Sequence, residues 1–100
     1  MRFTWSPEKK RVNPLKHRGV TFEMAREAFE DPNCVATENY YYEGEGEQRL
    51  QLIGMSGQLV LLMVVFVDRS DNGEEVIHLI SARRANDYEE RIYCARRKNP

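Results

Sequence analysis

The amino-acid sequence predicts a single α+β domain over residues 1–100: an antiparallel sheet, N-terminal helices packed on one of its faces and a closing C-terminal helix, in the order β-α-α-β-β-β-β-α. Three observations lead there. Helix signals fall toward the two ends of the chain: start signals at Ser6-Pro7-Glu8, Thr21 and Asn86, and apolar residues at helical spacing in residues 22–29. The stretch between is β-like, with apolar runs separated by Ser56-Gly57 and Asp71-Asn72-Gly73. One hundred residues, 41% apolar and 31% charged, suffice for one modest core and no second folding unit.

Residues 3–5 alternate as a short first strand, with Trp5 directed to the core. Ser6-Pro7-Glu8 then supplies an N-cap, a proline at the first helical position, where its missing N–H is not needed, and an acid near the positive helix end. Pro14 removes an internal donor and predicts a break or kink, with Asn13 capping a second short turn; Gly19 ends the segment as a left-handed C-cap. Thr21 opens the next helix, whose Phe22, Ala25, Ala28 and Phe29 share one face, and Asp31-Pro32 stops it. Residues 33–38 read as a weak strand and residues 39–47 as an acidic loop containing Tyr40, Tyr41 and Tyr42. Strands follow at residues 48–55 and 58–67, joined by the Ser56-Gly57 turn. Residues 59–67 are apolar without polar alternation, so both faces require cover and this strand is expected at the centre of the sheet. A last strand spans residues 76–81, and Asn86 caps the final helix with Glu89 or Glu90 completing the cap.

A net charge of −1 conceals an uneven distribution. Residues 1–22 hold six bases against one acid and residues 83–100 six against three, whereas residues 23–47 hold one base against eight acids. A fold that joins the two chain ends would display one positive face suited to an anionic partner; ordinary solvated helix surfaces are the alternative source of the pattern. The acidic residues 38–47 are expected to face a basic partner instead. Cys34 and Cys94 are too few and too far apart for a disulfide framework or a zinc site, and predict reduced thiols in a reducing cytoplasm, with a single bridge between them as the alternative. The N-terminal residues lack a continuous apolar leader, and the run 59–67 is far short of the roughly 20 residues that span a bilayer. The expected location is cytoplasmic, without membrane association.

No HExxH pair, EF-hand loop, Cys/His cluster or P-loop is present, so neither a metal nor an organic cofactor is expected. Gly44-x-Gly46 is flanked by glutamates that repel phosphate, and nothing resembles a nucleophile elbow. What remains is a set of cationic groups at element ends: Lys16-His17 ahead of Gly19, Arg83-Arg84 directly after the last strand, and Arg49 at the start of the third. RNA cleavage without metal needs a base for the 2′-OH, cations for the charge developing on phosphorus and an acid for the leaving oxygen. Histidine exchanges protons near neutral pH, and the planar fork of arginine fits two phosphate oxygens. Arg83, Arg49, Lys16 and His17 are therefore the catalytic candidates, and Arg84, Lys9 and His78 the substrate-binding ones. Each has a structural alternative. His17 can serve the helix end, His78 alternates with Val76 and Ile80 as half-buried scaffold, and Arg83 can pair with an acid such as Asp87 or Glu90. The three tyrosines can stack bases or lie in an ordinary surface loop.

Two separated signatures draw these residues together. The first is W-x-x-x-K-x-x-x-N-x-x-K-H-G-V-x-F-x-x-A, matched by Trp5, Lys9, Asn13, Lys16, His17, Gly19, Val20, Phe22 and Ala25, and continued by Phe29, Asp31-Pro32, Glu47-x-Arg49 and Gly54. The second is I-S-A-R-x-A, matched by Ile80, Ser81, Ala82, Arg83 and Ala85, followed by Glu90 and Tyr93. On these residues the chain resembles the BrnT toxin family from about Phe3 to Tyr93. The resemblance implies a RelE-like fold and a metal-independent endoribonuclease, the toxin of a type II toxin–antitoxin module in the cytoplasm of a bacterium or archaeon. It further implies an RNA substrate and a ribbon-helix-helix, BrnA-like antitoxin through which DNA is contacted only indirectly. On this basis Arg83 and Arg49 are expected to hold the phosphate while Lys16 or His17 transfers protons. Three positions depart from the pattern. Arg18 stands between His17 and Gly19, where the family runs from His to Gly; His78 occupies a site where arginine is common; and Pro14 falls in a segment that is elsewhere uninterrupted helix. The alternative is a catalytically inactive module that acts only in antitoxin binding and operon repression.

Overall fold

The computed structural model describes residues 1–37 and 48–98. In chain order the elements are β1 (Arg2–Trp5), α1 (Pro7–Lys16), α2 (Phe22–Glu30), β2 (Val35–Thr37), β3 (Leu50–Met55), β4 (Leu61–Asp68), β5 (Val76–Arg84) and α3 (Asp87–Lys98). The strands form one sheet in the order β1-β5-β4-β3-β2. The acidic loop expected at residues 39–47, its three tyrosines, the docking stretch at residues 38–47 and Gly44-x-Gly46 lie outside the described residues.

β4 takes the central place because it is apolar on both sides. Leu62, Val64 and Phe66 point into the core beneath α2, where they meet Phe22, Ala25 and Ala28. Met63 and Val65 point the other way, into a smaller core closed by Tyr93 of α3. Leu62, Val64 and Leu79 are 0% exposed, and burial of each such side chain contributes about 1.5–3 kcal/mol. α2 sits close to the sheet at Gly54, where a Cβ would lie 2.5 Å from the carbonyl oxygen of Ala28.

β4 begins at Leu61 rather than at residue 58. Leu59 N–H donates to the Ser56 carbonyl at 2.9 Å and Ser56 N–H to that of Val60 at 2.9 Å, closing a turn. Within it Leu59 has a φ of 63° and is exposed, so it contributes nothing to the central strand. β5 in turn runs on to Arg84, because Arg83 and Arg84 pair with Met63 and Leu62. The arginine pair therefore belongs to the strand and does not follow it.

The pairings β2–β3, β3–β4 and β4–β5 are antiparallel, and β1 joins β5 in parallel. No hairpin links β1 to β5, so no turn dictates its direction. β1 ends opposite Leu79, which leaves the remaining edge of β5 to α1. The buried Asn13 fills that edge: its Nδ2 donates to the carbonyls of Val20 at 2.8 Å and Ala82 at 2.9 Å, and its Oδ1 accepts from Ala82 N–H at 3.1 Å. This anchor explains why α1 is one unbroken helix through Pro14, where the sequence predicts a break with Asn13 as a second cap. Proline removes one helix hydrogen bond, but the three bonds of its neighbour fix the last turn against β5. Among the described residues no helix is long and apolar enough to cross a membrane.

Candidate functional site

The C-terminal end of α1 is folded back against the end of β5. His17 N–H donates to the Asn13 carbonyl at 2.9 Å, Gly19 N–H to that of Pro14 at 2.7 Å and Val20 N–H to that of His17 at 3.1 Å. Arg18 and Gly19 both take positive φ, 52° and 86°, which reverses the chain within two residues. Because Asn13 bonds both Val20 and Ala82, this reversal is registered on the strand that carries Arg83 and Arg84. The outcome is an open cavity of ≈ 240 Å³ lined by Lys16, His17, Arg18, Arg83 and Arg84. A second groove of ≈ 300 Å³ adjoins it, with Glu8, Lys9, Val12, Ile80 and Ser81 among its walls, and Lys16 and His17 line both. Four of the five residues around the first cavity carry a fixed positive charge, and with Arg83 paired to Glu89 three remain uncompensated among the described residues, so the site attracts anions although the whole chain is nearly neutral.

Five of the seven sequence-derived candidates thus come together: Lys9, Lys16, His17, Arg83 and Arg84. Arg49 and His78 do not. Arg49 lies just ahead of Leu50, which pairs with Phe66, whereas Arg83 pairs with Met63 and, across it, Ile53. Four residues of strand, about 13 Å, and two strand spacings separate the half-buried Arg49 from Arg83. His78 pairs with Val67 at the same distant end, and its Nδ1 lies 2.8 Å from Thr4 Oγ1. The period of a strand cannot tell which end of the sheet a residue reaches; only the register does.

Arg83 is engaged within the protein. Its Nη1 donates to Glu89 Oε1 at 2.9 Å and to the Arg84 carbonyl at 3.1 Å, and its Nη2 donates to Glu89 Oε2 at 2.8 Å. Glu89 Oε1 also accepts from Asn86 N–H at 2.9 Å, while Asn86 Oδ1 accepts from Glu89 N–H at 2.9 Å, a complete capping box. Burial pushes the Glu89 carboxyl up, but the Arg83 guanidinium and the Asn86 amide outweigh it and hold the group below the usual range. The sequence pointed to Asp87 or Glu90 as partners. The capping box decides otherwise, since a glutamate at the third helical position must reach back toward the strand it follows.

Several residues of the signatures turn out to hold the scaffold. Asp31 accepts from Asn33 N–H at 2.9 Å, Met55 N–H at 2.8 Å and Tyr93 O–H at 2.6 Å, joining the end of α2, the end of β3 and α3. Asn13 and Gly54 fix the approach of α1 and α2, as described above. Sequence reasoning did not place Arg18 in the site; its position beside His17 at a chain reversal was the available signal. Among the described residues no group of three or more His, Cys, Asp or Glu side chains could hold a metal ion.

A family model described as the ribonuclease toxin BrnT of type II toxin–antitoxin systems matches residues 5–89. No curated protein matches. Among solved structures, the 1.1 Å crystal structure of the Brucella abortus ribonuclease toxin BrnT is 24% identical, covers 87% of this chain and 99% of its own, and superposes with a TM-score of 0.49.

Proposed function

The chain belongs to the BrnT family of ribonuclease toxins, and from that membership we propose that it is the toxin of a type II toxin–antitoxin module that cleaves RNA without a metal ion. The observation that carries the reading is the convergence of Lys16, His17, Arg18, Arg83 and Arg84 on one cavity. In this scheme His17 takes the proton of a ribose 2′-OH. The 2′-oxygen attacks the adjacent phosphorus, the bond from phosphorus to the 5′-oxygen breaks, and the leaving oxygen takes a proton from the Lys16 ammonium. The products are a 2′,3′-cyclic phosphate and a 5′-hydroxyl. Arg84, exposed and without an ion pair among the described residues, stabilises the charge on the phosphorane, an effect of the order of 10²–10³ in rate for one well-placed donor. Arg83 forms the cavity wall, its fork held by Glu89, and Lys9 offers a further cation in the adjoining groove, where Glu8 stands beside it. Arg49 and His78 take no part. A ribbon-helix-helix antitoxin would neutralise the toxin and supply any contact with DNA.

One observation favours the second reading, a binding module without catalysis: the most positioned arginine of the site spends its fork on Glu89. Incubating the purified protein with RNA in EDTA separates the two. Cleavage with cyclic-phosphate ends, lost in His17→Ala and Lys16→Ala, is expected. Cleavage that vanishes in EDTA and returns with magnesium would overturn the metal-free scheme, and the absence of any cleavage would leave the binding module.

A further inference from the structure

Arg18 is the residue of the cationic cavity that this scheme leaves unused. It is exposed, lines the cavity with Lys16, His17, Arg83 and Arg84, and holds no ion pair among the described residues. Its φ of 52° lies in the left-handed region, where Gly19 at 86° follows it. Glycine enters that region without steric cost, whereas a residue with a Cβ is strained there. The turn that closes α1 therefore gains nothing from arginine at position 18 and would form more readily without its side chain. An exposed guanidinium kept where the backbone disfavours it points to a role outside the fold. The cavity also lacks a second uncommitted fork elsewhere: the terminal nitrogens of Arg83 are engaged by Glu89, so Arg84 and Arg18 are the two guanidiniums open to a ligand. They come from different elements, Arg84 from the end of β5 and Arg18 from the cap of α1.

Resting on the reading that this cavity takes RNA, we propose that Arg18 grips a second phosphate of the bound strand, adjacent to the one under attack, and sets affinity rather than the chemical step. A contact made equally in the ground and transition states lowers KM and leaves kcat alone.

The test compares wild type with Arg18→Gly, Arg18→Asn and Arg18→Lys. Asparagine tolerates the left-handed conformation without the charge, and so keeps the test sound should the double glycine loosen the turn. Binding is measured on a short single-stranded RNA, 2′-O-methylated so that it cannot be cleaved, over a range of salt. Cleavage is measured on the unmodified strand, and thermal melting on each protein. For the Gly and Asn variants we expect affinity to fall about tenfold, the low end for a hydrogen bond to a charged group. The dependence of log Kd on log salt should become shallower by about 0.7. KM should rise with kcat unchanged, while the melting temperature stays level or rises. Arg18→Lys should keep the salt slope and lose part of the affinity. Wild-type affinity and slope in the Gly and Asn variants, with a wild type that binds and cleaves, would overturn the role of Arg18 alone. A wild type that neither binds nor cleaves would overturn the RNA reading beneath it. A lower melting temperature in both neutral variants would make Arg18 structural.

Discussion

Two carboxylates tie α3 to the rest of the molecule, and they are built differently. Asp31 accepts from neutral donors only, two backbone amides and the Tyr93 hydroxyl. Glu89 accepts from one amide and from both terminal nitrogens of Arg83. In each, burial raises the carboxyl and the hydrogen bonds more than reverse it, leaving the group below its ordinary range. The consequences diverge. The Asp31 knot sits where α2, β3 and α3 meet, lines neither the cationic cavity nor its adjoining groove, and fixes distances. The Glu89 knot holds a wall of that cavity, cancels one of its charges and occupies an arginine fork. The same side-chain chemistry thus serves the scaffold at one place and sets the electrostatics of the site at the other.

A third carboxylate on the same side of the sheet, given no donors, is the harshest way to sharpen that contrast. Val65 packs with Ile53, Met63 and Tyr93. Val65→Asp would bury a charge with nothing to accept from, and no folded protein is expected; a cooperative unfolding transition in the variant would mean that β4 is not central. Arg83→Ala comes next. Breaking a buried pair typically costs about 3–5 kcal/mol; with side-chain exposures of 37% for Arg83 and 11% for Glu89, solvent screening reduces this to roughly 2–3 kcal/mol. Urea unfolding should show that loss, and Arg83→Ala combined with Glu89→Gln should recover part of it. In that double variant, which leaves the net charge of the cavity wall unchanged, cleavage per folded molecule should stay close to wild type. Near-native stability with lost cleavage would instead make Arg83 the phosphate clamp.

That last contrast marks where the sequence was legible and where it was not. The central strand, the capping of all three helices and the α+β order follow from local chemistry, in which each residue reports its own neighbours. Five of the six basic or imidazole residues of the cavity and adjoining groove, all but Arg18, can be named from charge near element ends, because the two basic termini of the chain do meet. That Arg49 lies far from Arg83 is not legible in one sequence, because their distance depends on register between strands. Pro14 misled because the compensating bonds of Asn13 go to Ala82, 69 residues away. The sequence alone does not select the partner of the Arg83 fork, because three acids crowd the first turn of α3 and only the capping geometry chooses among them.

Removing one neutral donor from the other knot should do less. Tyr93→Phe deletes the 2.6 Å bond to Asp31, leaves the carboxylate with two amides, and should cost about 1–2 kcal/mol with RNA cleavage unchanged. Its pH signature is specific. Burial and Asp31 push the Tyr93 hydroxyl from 10.0 up to about 12. A raised folded-state value stabilises the fold fully below pH 10.0 and is lost as pH climbs toward about 12. Wild type should therefore lose stability across that window, and Tyr93→Phe should lose less. Equal slopes would show that Tyr93 is not the titrating group.

The smallest effect distinguishes the two carboxylates by acid titration. Both are held below their ordinary values, 4.5 for Glu89 and 3.8 for Asp31. A lowered folded-state value means that the unfolded chain takes up protons first, so stability is intact above the ordinary value and declines as pH falls through the folded one. The Glu89 contribution should therefore start to fade below pH 4.5 and that of Asp31 only below pH 3.8. Glu23, lowered by its own backbone amide and by Lys10, adds to the acid limb from 4.5 as well, so the informative quantity is the difference between wild type and variant. Denaturant midpoints measured from about pH 6 down to about pH 3 should begin to converge for wild type and Glu89→Gln once pH drops below 4.5, because protonating Glu89 removes the charge that the variant already lacks. Asp31→Asn should stay apart from wild type down to pH 3.8 and begin to converge only below it. Parallel curves for Glu89→Gln throughout would mean that its carboxylate titrates as it does in the unfolded chain, and that the pair with Arg83 shapes the cavity without stabilising the fold.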